Sequence, residues 1–135
     1  MKGRRLARAA ALQALYLIDV SGISEEAALS TQQESLDSLN ENDSSFSRDL
    51  VLGTRKFIFP IDKKIAEAAT HWRIDRMTSV DRNILRLSTY ELSYLPDTPA
   101  KVVINEAIEI AREFSTEESA RFVNGILDKI SKSEK

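Results

Sequence analysis

Apolar residues recur at helical spacing along nearly the whole chain, and no stretch alternates as a half-buried strand does. From about Gly3 to Val20 the chain is rich in Ala and Leu, strong helix formers, and Ser21-Gly22 supplies a stop. Ser24, followed by Glu25 and Glu26, suits the opening of a short second helix, whereas residues 30–42 are polar and weakly patterned. Asp43 or Ser44 is expected to cap a third helix from Phe46 to Phe59, ended by Pro60. A fourth is expected from Ile61 to about Trp72. Thr78-Ser79-Val80-Asp81 has capping-box spacing and opens a helix to about Tyr94, before Pro96. Thr98 as a cap with Pro99 at the first helical position opens the next, to Phe114. Ser115-Thr116-Glu117-Glu118 reads as a second capping box, starting a final helix to about Ser131. The pattern predicts an all-α protein of about seven helices with short loops, one domain over residues 1–135, and no internal repeat.

Composition narrows the chemistry. The 135 residues are 42% apolar and 30% charged, a balance that buries one core. With no cysteine, disulfides, thiolate metal sites and cysteine nucleophiles are excluded. The single histidine, His71, lies beside Trp72 near a helix end and reads as a surface or capping residue. Glu91 projects into an apolar sector, where a structural partner is the favoured reading over a catalytic one. No catalytic pair converges, so neither an enzyme nor a metal or cofactor site is expected. No apolar run approaches the roughly 20 residues that span a bilayer, and no signal-like segment follows the basic start. A cytoplasmic protein without a membrane partner is the expectation.

Charge is unevenly laid out. The net charge of −2 hides a start carrying Lys2, Arg4, Arg5 and Arg8 without an acid, followed by an acidic stretch over 19–49 in which Arg48 is the sole base. A basic end beside an acidic stretch suggests a surface that meets a polyanion, against the plainer reading of a solvated terminus. Arg4, Arg5 and Arg8 share a sector about 100° wide, in the turns where the helix dipole disfavours cations. Arginines grouped in this way hold phosphates bidentately. In the last helix Val123, Ile126, Leu127 and Ile130 form a core stripe, while Phe122 lies about 100° from its centre, beside Glu118, Gly125 and Lys129. A mid-helix glycine costs up to about 1 kcal/mol, so Gly125 marks a close approach. A base stacked on Phe122 fits that arrangement, and so does another packed helix. In the helix over 79–94, Arg82, Arg86, Thr89 and Ser93 lie opposite a broad apolar face, with Tyr90 at the edge. That side suits either solvent or a protein partner.

Four blocks taken in order resemble the NusB family of bacterial transcription antitermination factors: GRRLARAAALQALY at 3–16, SVDRNILRLSTYEL at 79–92, KVVINEAIEIAREF at 101–114 and RFVNGILDK at 121–129. The likeness runs to about Ile130, with 22–60 matching only in length and helical character. It implies two small helical bundles and no enzymatic activity. It further implies binding of single-stranded boxA RNA, not DNA, as a heterodimer with NusE, a small-subunit ribosomal protein. The pair would join the RNA polymerase elongation complex with other Nus factors and promote ribosomal RNA transcription. Carried onto this chain, the RNA-binding positions are Lys2, Arg4, Arg5, Arg8, Glu118, Arg121, Phe122 and Asn124. Those facing NusE are Tyr16, Asp81, Arg82 and Arg86. A protein-only adaptor with a solvated basic start is the alternative. An RNA-modifying enzyme is disfavoured, since no glycine-rich cofactor loop or cysteine is present.

Overall fold

The structure, a computed structural model, describes residues 2–134, and its regular elements among them are all helical. They are α1 (Lys2–Ser21), α2 (Glu25–Ser30), α3 (Gln33–Asp37), α4 (Glu41–Lys56), α5 (Ile58–Ala68), α6 (Ser79–Tyr94), α7 (Ala100–Phe114) and α8 (Glu117–Ser133), with a 3₁₀ turn at Ile74–Arg76. The chain divides into two compact units, one ending at Lys56 and the other starting at Phe57. None of the described helices is long and apolar enough to cross a membrane.

In the first unit α1 packs against α2, α3 and α4. Its inner face is mostly alanine, with Ala7, Ala10, Ala11 and Ala14 buried beside Leu15 and Ile18. Small side chains let a neighbouring backbone come close, and the buried Ser47 hydroxyl of α4 donates to the Ala7 carbonyl at 2.8 Å. As expected, α1 ends at Gly22, which takes a left-handed conformation (φ 68°) and returns its N–H to the Ile18 carbonyl. Ser24 caps α2 by accepting the Ala27 N–H at 3.1 Å. The weakly patterned stretch holds a further helix, α3, anchored by the buried Leu36. Asn40, rather than Asp43 or Ser44, caps α4, its side chain accepting the Asp43 N–H at 2.7 Å.

Pro60 does not end a helix. The break falls at Phe57, and Pro60 occupies the first turn of α5, where its missing N–H leaves no helical bond unmade. In the second unit α6 packs against α5, α7 and α8 and is buried on most of its circumference, including Thr89 and Glu91. The polar side expected for this helix is therefore largely covered. Ile61, Ile65, Ile84, Leu85, Ile110, Val123 and Leu127 fill the core of this unit. Thr78 caps α6 by accepting the Asp81 N–H, as its spacing predicts. The cap of α8 is Thr116, one residue later than expected, because Ser115 still terminates α7. Pro99 likewise stands as the cap of α7, not as its first helical residue.

Candidate nucleic-acid interface

The basic start of α1 does not present its arginines uniformly. Lys2 and Arg5 are exposed, Arg4 is half-buried and Arg8 is only 3% exposed. The sector they share straddles the edge of the core face, so its inner members fold against the unit. The Arg4 guanidinium lies 4.0 Å from the centre of the Phe46 ring and 3.5 Å from an Asp43 carboxylate oxygen. That of Arg8 lies 5.1 Å from the same ring. A Cβ on Gly3 would displace the Asp43 carboxylate from its place beside Arg4. Arg8 is thus a covered cation held against an aromatic face, where the exposed Arg5 is open. Tyr16, further along α1, is exposed.

In the second unit the start of α8, the start of α6 and the preceding loop line an open cavity of about 460 Å³. Trp72, Met77 and Phe122 supply its apolar lining, and Arg76, Arg121, Asp81 and Glu118 its charged groups. Trp72 meets Phe122 edge to face, with ring centres 5.6 Å apart and planes at 84°. Trp72 is 61% exposed, a large apolar area for a chain to leave in water. Arg76 and Arg121 are exposed, and neither forms an ion pair among the described residues. Asp81 is nearly buried and is held by a hydroxyl relay: Ser115 donates to Ser119 at 2.8 Å, and Ser119 donates to Asp81 Oδ2 at 3.0 Å. Beside the cavity, the hydrogen bond from Arg112 holds the Glu117 carboxyl below its ordinary value, with Arg121 adding to the effect.

The residues expected from the sequence are distributed among these features. Glu118, Arg121 and Phe122 meet at the cavity, and Asp81, expected on a different surface, joins them. Asn124 does not; it lines a separate depression with Lys101, Asn105 and Asp128. Arg82 donates to the carbonyls of Ile74 and Met77, both at 3.1 Å, and so fixes the loop that carries Arg76. Arg86 grips Asp62 of α5 through two bonds of 2.9 Å. The open arginine face expected on α6 is thus engaged within the unit, because α6 is its central helix. Nothing lies within 4 Å of a Cβ built on Gly125, so no helix packs there. His71 is exposed, and Glu91 is wholly buried. Among the described residues no group of three or more His, Cys, Asp or Glu side chains is placed to hold a metal. Trp72 and Arg76 were not expected at the site, since a short irregular loop has no periodicity to reveal its outward residues.

Fold and site define a small helical binding protein with a cation-bearing, aromatic-lined cavity. A profile of the NusB family matches residues 5–132. The chain is 42% identical to the transcription antitermination protein NusB of Myxococcus xanthus, covering 96% of this chain and 95% of that protein. It is 46% identical to that of Treponema denticola, covering 95% of each. Among solved structures, T. maritima NusB superposes with a TM-score of 0.86 at 38% identity, covering 96% of this chain and 90% of that one. A chain in the structure of antitermination factors NusB and NusE in complex with dsRNA gives 0.90 at 28% identity, covering 98% of each. The chain belongs to the NusB family, a family of transcription antitermination proteins and not of enzymes.

Proposed function

We propose that this chain binds boxA RNA in single-stranded form, pairs with NusE, and joins the RNA polymerase elongation complex to promote ribosomal RNA transcription. Residues 1–135 act together as one RNA-binding domain in this reading. The observation that carries it is the exposed Trp72 set edge to face against Phe122 over a cavity flanked by two exposed arginines, Arg76 and Arg121. Aromatic faces stack unpaired bases, and arginines beside them take the phosphates. Glu118 and Arg121 border the RNA at this cavity; in the first unit Lys2, Arg4, Arg5 and Arg8 give the start of α1 its own charge for phosphates. Asn124 contacts RNA only along a longer path. The similar chain solved together with NusE and dsRNA supports the NusE and RNA parts of this reading, and not the choice of a single strand. Tyr16 contributes an exposed ring to the NusE contact, while Asp81 and Arg82 shape the start of α6 and Arg86 ties its middle to Asp62. Transcription through a terminator with purified polymerase and Nus factors tests the whole reading. Adding the chain with NusE should raise read-through on a template with boxA and not on one without it. Equal read-through on both templates would contradict it.

A further inference from the structure

We infer that the cavity beside Phe122 is a pocket for one nucleobase, and that Asp81 makes it prefer bases bearing an amino group over uracil. The inference rests on the RNA-binding reading above. Asp81 Oδ2 is taken by the Ser119 hydroxyl, but Oδ1 is buried and accepts no hydrogen bond among the described residues. A carboxylate oxygen removed from water without a donor is costly, so a ligand that brings a donor is favoured there. The residue lines the cavity and keeps 9% of its surface exposed. A partial rotation of the carboxylate about its soft last torsion brings Oδ1 to the cavity wall, and a ligand donor there offsets the loosened Ser119 bond to Oδ2.

The surrounding groups select the ligand. Trp72 and Phe122 offer aromatic surface to a flat ring, and a volume of about 460 Å³ lies within the range of small-ligand pockets. The exposed guanidinium groups of Arg76 and Arg121 suit the phosphates on either side of the base, and they disfavour a cationic side chain from a protein. Guanine, adenine and cytosine each carry an exocyclic amine that can donate to the carboxylate. Uracil offers only an N–H placed between two carbonyl oxygens, which the carboxylate repels.

Fluorescence anisotropy of nine-nucleotide RNAs tests this, with uridine at every position except the central one. The full chain at low salt should bind the central cytidine RNA about tenfold more tightly than all-uridine RNA. Replacing that cytidine by zebularine, which lacks the amine, should abolish the gain without altering the protein. Asp81→Asn, with its melting temperature checked, should bring cytidine and uridine within about twofold, because an amide both donates and accepts. Equal binding of cytidine, zebularine and uridine RNAs would overturn the inference and leave RNA binding intact. No binding of any oligonucleotide, with or without NusE, would overturn the RNA reading and this inference with it. Displacement of the RNA by an arginine-rich peptide from wild type but not from Asp81→Asn would make the cavity a guanidinium site and also overturn it.

Discussion

Phe122 and Arg8 show how differently single side chains declare themselves. Phe122 stands off the core stripe of α8, and an apolar ring in that position has to find another use; it forms one wall of the cavity. Phe122→Ala should weaken RNA binding by about 1–3 kcal/mol, the usual range for base–aromatic stacking. Its melting temperature should stay close to that of the parent, and a large drop would mark the ring as core. Arg8 lies in the same sector as Arg5, yet it is covered while Arg5 is exposed. A helical wheel gives angles but not which neighbour arrives at each, and here Phe46 arrives from α4. Arg8→Ala should therefore lower thermal stability, whereas Arg5→Ala should leave stability unchanged. On the RNA side, Arg5→Ala should reduce the slope of log K against log salt by about 0.7, the share of one phosphate on a single strand. An unchanged slope would place Arg5 outside the interface.

At the scale of elements, caps and stops were legible wherever a local signal sufficed. Gly22, Ser24 and Thr78 do what their neighbours imply, because each acts within a turn of its own helix. Pro60 misled because proline is compatible with the first turn of a helix as well as with the end of one. Asn40 and α3 lie in a polar stretch where one buried leucine, Leu36, holds the helix and no period forms. The standing of α6 was hidden for a related reason: its arginines are polar in sequence but bonded inward in space. Arg86→Ala should cost about 1–3 kcal/mol by leaving Asp62 half-enclosed without its partner, measured by denaturant unfolding. The end of α8 adds a pH dependence. The Ser93 hydroxyl first, and Lys64 after it, hold the Glu134 carboxyl below its ordinary value of 4.5. A carboxyl depressed on folding stabilises fully above its unfolded value and loses that contribution as pH falls through the folded one. Glu134→Gln should therefore lower stability at neutral pH and draw level with the parent under acid conditions. A constant difference across pH would exclude this group as the source.

For the molecule as a whole, the all-helical class and the family were legible, because helical periodicity recurs along the chain and four blocks stand in family order between residues 3 and 129. The cavity was only half legible. Phe122, Arg121 and Glu118 sit on one regular helix and share a face, whereas Trp72 and Arg76 reach the site through a loop whose course depends on Arg82. A cavity lined by two cations, Arg76 and Arg121, and one aromatic platform implies weak RNA binding alone, and a partner with its own RNA contacts raises it through effective concentration. The most direct test is fluorescence anisotropy of a boxA-like single strand, titrated with this chain alone and together with NusE at two salt concentrations. Binding should be markedly tighter with NusE, should fall steeply with salt, and should weaken on Phe122→Ala. No RNA binding in either titration, with NusE still captured, would contradict the account and leave a protein-only adaptor.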